Sequence, residues 1–239
     1  MMRYKIADVV FEAQPIYAYT ARLCKPYRYD GEDKAEFSIA LTEAEIAAER
    51  EKAPDYPDYY LECLALFRRL GEHLLLNGEG MVFHCSALAV DGNAYLFAAP
   101  SGTGKSTHAR LWRQLLGDKV VMINDDKPVI RYIDGAFYVY GTPWDGKHRL
   151  STNTRAKIRG ICAISQAKDN SIIAISPAQM LIYVLNQTMI PKSEAEADKL
   201  FALVDKLLRS VDLYKLNCNT DISAAKLSYS VMAGGKNEN

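Results

Sequence analysis

An apolar run from Ala94 to Ala99 leads without interruption into Pro100-Ser101-Gly102-Thr103-Gly104-Lys105-Ser106-Thr107, and a helical pattern follows to about Leu116. Few chains can use such a segment in more than one way. A phosphate group needs several backbone N–H donors converging on it, and a loop offers them only where side chains do not obstruct, here at Gly102 and Gly104. A helix beginning at Lys105 or Ser106 turns its positive end toward the same point. Within the pattern GxxxxGK[ST], Lys105 is placed to reach the β- and γ-phosphates and the Ser106 hydroxyl to meet Mg²⁺. Ser101, Thr103 and Thr107 complete the expected nucleotide contacts. The first glycine of the pattern is Ala99 in this chain, which fits if that residue keeps a negative φ. The expected ligand is therefore ATP with Mg²⁺, or Mn²⁺ in its place, within an α/β fold built on a mixed sheet.

Two further features belong to the same argument. Val120 to Ile123 reads as a buried strand that ends in Asn124-Asp125-Asp126. A carboxylate at the end of such a strand meets the magnesium ion, and a second one beside it suggests divided labour. Asp125 is expected to hold the metal and Asp126 to orient and deprotonate an acceptor hydroxyl, although spacing alone does not say which is which. His84 is the third member. Met81 to Val90 and Ala94 to Ala99 read as a hairpin turning at Asp91-Gly92. Counting back from that turn places His84 opposite Ala99, as metal ligand, phosphate contact or proton relay.

Composition sets limits on partners. Acidic and basic residues are equal in number, 29 each, so binding of nucleic acid or membrane through net charge is not expected. No apolar run approaches the roughly 20 residues of a membrane span, and the start of the chain alternates rather than forming a secretory core. Cys24, Cys63, Cys85, Cys162 and Cys218 are scattered and odd in number, which suits buried free thiols in the cytoplasm.

The remaining pattern divides the chain into an accessory β-plus-α region, residues 1–78, and the loop-bearing domain, residues 79–239. In the first, Tyr4 to Phe11, Ile16 to Leu23 and the alternation at Phe37, Ile39 and Leu41 read as strands. Thr42-Glu43-Ala44-Glu45 reads as a capping box, and Asp58 as the cap of a helix reaching about Leu76 and stopped by Asn77-Gly78. In the second, Asp134-Gly135 marks another hairpin, and strands are expected at Ile161 to Ser165, Ile172 to Ile175 and Val211 to Leu216. Capping boxes are expected at Ser176 and Ser193, and a disordered tail from Gly234 to Asn239.

This constellation resembles the HPr kinase/phosphorylase family and, more distantly, the ATP-dependent phosphoenolpyruvate carboxykinases. The resemblance rests on His84-Cys85-Ser86-Ala87-Leu88-Ala89-Val90, on Ser101 to Thr107 and on Asn124-Asp125-Asp126. It covers roughly residues 80 to 140 by motif, and 160 to 230 by strand–helix pattern. It implies a proton-accepting role for Asp126, and by analogy with the carboxykinases a second divalent metal on His84 and one of the two aspartates. It also extends to smaller HPr-kinase-like proteins, some of which phosphorylate serine in peptides such as lasso peptides. The family's later Glu-Arg-Gly segment is not found in this chain; Asp145 stands where a replacement carboxylate could approach.

Between Gly141 and His148 lies a loop expected to close over the site. Trp144 is a candidate to stack on adenine or to line an acceptor pocket. Lys147 and Arg149 are candidates to neutralise the transferring phosphoryl group or to grip an anionic substrate, within a basic, polar stretch running on through Arg155 and Lys157 to Arg159. The expected reaction is transfer of the ATP γ-phosphoryl group to a hydroxyl, most readily serine in a protein or peptide. A small serine-like alcohol is the alternative acceptor, and a nucleotide-binding regulatory protein without turnover is the rival from another class. A homo-oligomer is compatible with the sequence.

Overall fold

In the computed structural model, residues 1–234 are described; the expected disordered tail lies, beyond Gly234, outside them. The fold is mixed α/β. Its centre is a nine-stranded sheet, and a three-stranded sheet stands beside it.

The large sheet follows from continuous apolar segments that bury both faces. β4 (Gly80–Val82), β5 (Ser86–Val90), β6 (Asn93–Ala98), β7 (Val120–Asn124), β8 (Val129–Ile133), β9 (Ala136–Tyr140) and β10 (Arg155–Gln166) are ordered β4-β8-β9-β10-β6-β5-β7. β12 (Asp212–Cys218) runs parallel to the second half of β10, and β11 (Ser171–Ala174) pairs antiparallel with β12. Alternate side chains of β6 go to opposite faces. Ala94, Leu96 and Ala98 meet the residues of α5 (Pro177–Leu185) and α6 (Glu194–Ser210), such as Met180, Leu203 and Leu207. Tyr95 and Phe97 meet those of α4 (Lys105–Leu116) and α7 (Ile222–Ala233), including Trp112 and Ala224. A period of two with both sets apolar marks a strand covered by helices on both sides.

The hairpin turns fall at Asp91-Gly92 and Asp134-Gly135, all four residues with positive φ, and Ala89 pairs with Ala94 as the turn chemistry requires. The first hairpin, however, does not extend back to Met81. Its ladder stops at Ser86 opposite Phe97, and Met81 belongs to β4, which pairs with β8 instead. His84 therefore faces no residue of β6. Main-chain bonds hold this break: Phe83 N–H donates to Pro128 O, His84 N–H to Gln187 O and Cys85 N–H to Asp126 O.

The N-terminal region differs from its expected all-strand start. β1 (Met2–Ile6) and β2 (Val9–Ala13) form a hairpin joined in parallel by β3 (Phe37–Ile39), but Ala18–Leu23 is a short helix, α1. The cause is remote. Glu62, fully buried in α3 (Asp58–Asn77), accepts N–H bonds from Ile16 and Tyr17 at the start of α1 and the hydroxyl proton of Thr20. A distant carboxylate thus pins the two residues that lead into a helix whose own cap residue makes no side-chain cap bond. Asp58 is not the cap of α3 but its first residue, after Pro57. The capping box at Thr42 opens α2 (Glu43–Lys52), and the one at Ser176 opens α5. At Ser193 the hydroxyl accepts the Glu196 N–H.

Residues 1–78 do not close a core by themselves. Tyr4, Phe11, Phe67 and Leu70 share one apolar cluster with Val82, Val129, Tyr140 and Trp144 from farther along the chain. This seats the small sheet and α3 against the β4–β8–β9 end of the large one. All five cysteines are buried and unpaired. No helix among the described residues is long and apolar enough to cross a membrane.

Candidate functional site

The loop after β6 turns sharply: Thr103 N–H donates to Pro100 O, and Gly104, at φ 117°, caps α4 in a conformation reserved for residues without a Cβ. Ala99 keeps a negative φ, as its place in the motif demands. A Cβ placed on Gly102 or Gly104 would meet nothing within 4 Å, so the loop surrounds open space. Lys105 is 7 % exposed, and its Nζ donates to Ala99 O at 2.7 Å and Pro100 O at 3.4 Å. Burial pulls the ammonium pKa down, with Asp126 and Asp125 among the groups that oppose the shift. An anion in the cradle would compete with those two carbonyls for the ammonium.

Two anchors fix the loop. Gln166, at the end of β10, donates to Thr103 O. Behind α4, the Trp112 indole donates to Ser228 Oγ at 2.8 Å, and His108 Nε2 lies 2.9 Å from the same oxygen. Nothing in the linear sequence links Ser228 to the loop; it is brought there by packing of α7 on α4.

Opposite the loop, β7 delivers Asp125 and Asp126. Asn124 shapes the turn, accepting the Asp126 and Lys127 N–H groups on its side-chain oxygen while its amide donates to Thr142. The two carboxylates then diverge in environment. Asp125 is 8 % exposed and accepts the Ser86 hydroxyl at 2.5 Å. Asp126 Oδ1 lies 2.9 Å from His84 Nε2, and Oδ2 accepts from Lys127 Nζ at 2.7 Å. Burial pushes the Asp126 carboxyl up, but His84 and Lys127 together outweigh it and hold it below the ordinary carboxylate value.

His84 does not stand opposite Ala99, because the β5–β6 ladder ends at Ser86. It reaches the site through the break between β4 and β5, against Asp126. Its Nε2 stands 2.9 Å from that carboxylate. The geometry makes His84 a direct partner of Asp126.

The loop from Gly141 to Arg149 closes one wall. The Thr142 hydroxyl donates to Lys127 O, and Lys127 N–H donates to Trp144 O. Gly146, at φ 73°, brings its backbone so near that a Cβ would stand 3.3 Å from Asp126 Cβ. Trp144 corrects one expectation. It borders the cleft, but the residue is only 6 % exposed, its Nε1–H donates to Cys63 O and its ring packs 4.5 Å from Phe67. No free indole face remains to stack on adenine. Lys147 and Arg149 are exposed at the rim. Arg155 and Arg159, expected in the same loop, lie on β10 and pair with Asp8 and Asp212. Lys157 lies there too, opposite Tyr138. Asp145 is buried and accepts from Ser151 Oγ.

Together these elements border one cleft of about 820 Å³. Ser101, Gly102, Gly104, Lys105, Ser106 and Thr107 line one side; His84, Asp125 and Asp126 line the floor; Trp144, Lys147 and Arg149 line the other side. Thr103 sits behind, in the loop itself. Tyr19, Tyr56 and Tyr60 complete the mouth. Those tyrosines come from the N-terminal region, and no local signal marks them as site residues.

No protein-family profile matches the chain, and no curated protein matches it in sequence. Among solved structures it is similar to the Hpr(Ser) kinase/phosphatase from Coxiella burnetii, at 10 % sequence identity and a TM-score of 0.30, over 54 % of this chain and 88 % of that one. This is a distant likeness of fold.

Proposed function

We propose that the protein is an ATP-dependent phosphotransferase that moves the γ-phosphoryl group to a hydroxyl. The observation that carries this reading is the convergence, in one cleft, of a glycine-containing loop, a buried lysine and two carboxylates in unlike environments. The residues suit a nucleotide: the cradle is unobstructed, and α4 points its N-terminus into it. They also suit magnesium, which is usually held by one or two carboxylates plus phosphate oxygens rather than by an all-protein cage. Ser106 and Asp125 would hold that ion, which would neutralise charge building between the β- and γ-phosphates.

The protein's own groups do the rest. Lys105 leaves its two carbonyl partners for the phosphates. Asp126, ionised at neutral pH, orients the acceptor hydroxyl and takes its proton as the new oxygen–phosphorus bond forms. The bond from phosphorus to the bridging oxygen breaks, and ADP carries away the electron pair. His84 steadies Asp126, and Lys127 balances its charge. The acceptor is serine in a protein or peptide, or a small serine-like alcohol.

The test is transfer of label from γ-labelled ATP to peptide and metabolite panels by wild type and by Asp126→Asn. The variant should keep nucleotide affinity and lose transfer by about 10²- to 10⁴-fold, the usual contribution of a general base. Equal turnover by the two proteins would remove Asp126 from the chemistry. Tight ATP binding with no transfer to any acceptor would favour a regulatory nucleotide-binding protein.

A further inference from the structure

A second cavity, of about 370 Å³, adjoins the main cleft and shares Tyr19, Leu23, Pro143, Asp145 and Arg149 with it. Its charge is arranged around one ring. Arg22, from α1, and Arg149, from the loop after β9, both lie against Tyr19, with guanidinium carbons 5.8 and 5.6 Å from the ring centroid. Arg149 also donates to the Tyr19 hydroxyl at 3.0 Å. Among the described residues, no carboxylate lies within salt-bridge distance of either. Several other arginines of the chain are matched: Arg50 to Asp58, Arg68 to Glu49, Arg155 to Asp8 and Arg209 to Asp205. The buried Tyr27 hydroxyl also lines this chamber, with Ser151 as its polar neighbour. The Asp145 carboxylate attracts Arg149 without closing an ion pair with it, so two positive forks sharing one aromatic ring remain incompletely balanced.

We propose that this chamber binds the carboxylate of the phosphoryl acceptor, on Arg22 and Arg149, while the acceptor's hydroxyl lies in the main cleft at Asp126. The assignment rests on the kinase reading and narrows it to acceptors that carry an acid group near the alcohol. Asp145, on the wall common to both cavities, adds a selective element. It repels a second anion and accepts an N–H from the same acceptor, as an amino acid or a peptide segment would offer. The carboxylate belongs either to a free hydroxy amino acid or to an acidic residue beside the serine of a peptide.

The experiment separates this proposal from the reading beneath it. Binding is measured by ligand-observed NMR with Mg-ADP present, in two arms: L-serine against L-serinamide, and a serine octapeptide with Asp beside the serine against the same peptide with Asn. In wild type, the acid form of one arm should bind about tenfold more tightly than its neutral partner, the worth of one charge-assisted contact. The arm that shows the preference names the source. Arg22→Gln and Arg149→Asn should each abolish it, Asn being chosen because Arg149 has φ 53°. Arg22→Lys should retain part of it. ADP affinity and thermal melting, followed in every variant, expose a folding defect. Equal binding of acid and neutral forms in both arms, no binding in either, or a preference that survives both substitutions overturns the proposal. A preference lost in the variants, with no label ever transferred from ATP, leaves the chamber standing and overturns the kinase reading instead.

Discussion

The two walls of the cleft are built in opposite ways. The wall proposed to hold phosphate is one continuous stretch, β6, the loop from Ala99 to Thr107 and α4, so its groups are neighbours in the chain. The wall proposed to hold the acceptor draws Tyr19 from α1, Tyr56 and Tyr60 from the start of α3 and its approach, and Pro143 to Arg149 from the loop after β9. Binding triphosphate calls for backbone amides in a fixed local geometry, which a short motif can supply. Reading an acceptor calls for side chains with particular shapes and charges, which can be gathered from anywhere that packing brings together. On the proposed reading, the first wall is hard to vary. The second can change one segment at a time.

Substitutions break this contrast in order of expected size. Lys105→Met should cut ATP affinity by about 100-fold or more, as expected when a charged contact to phosphate is lost. The same change should leave thermal stability equal or higher, because burial disfavours the ammonium it removes. Calorimetric titration and a melting curve on one sample check both halves. A loss of stability would make Lys105 a structural residue.

The anchor behind α4 should respond to acid. Burial lowers the His108 pKa to about 4, against an unfolded value near 6.5. The unfolded chain therefore takes up the proton first. Stability is full above the unfolded value and falls as pH drops toward 4, by up to about 3 kcal/mol at the lower end. His108→Gln should flatten that part of a denaturant-melt series between pH 7 and 4. An unchanged slope would assign the acid sensitivity elsewhere.

On the acceptor wall the effects are smaller. Gly146→Ala puts a methyl group 3.3 Å from Asp126 Cβ at a positive φ. It should cost about 1 kcal/mol in stability. By shifting the base it should slow transfer roughly tenfold while ATP affinity holds. Trp144→Phe removes the donor to Cys63 O and should cost about 1 kcal/mol, with ATP affinity unchanged. Weaker ATP binding in that variant would restore the stacking role that the packing of Trp144 argues against.

Legibility in the sequence follows the same division. The loop from Ala99 to Thr107, the Asn124-Asp125-Asp126 turn, both hairpin turns and the caps at Thr42 and Ser176 depend on residues close in the chain, and they could be read directly. The helix Ala18–Leu23 could not, because the carboxylate that pins the residues leading into it is Glu62, more than forty positions away. The position of His84 is not legible in the sequence, since a break in a strand leaves no mark on an apolar pattern. Trp144 looked like a ligand platform because its contacts with Cys63 and Phe67 are invisible before folding. Arg22 carried no signal at all. It sits in a segment that read as a strand, and its neighbour Arg149 is separated from it by most of the chain.

The most direct measurement is a crystal structure with a non-hydrolysable ATP analogue and Mn²⁺, whose anomalous signal locates the metal. The account predicts phosphates on the loop amides between Gly102 and Ser106, Lys105 Nζ moved from Ala99 O onto them, and the metal between Ser106 Oγ and the Asp125 carboxylate. An analogue bound elsewhere, or a metal remote from both Ser106 and Asp125, would contradict it.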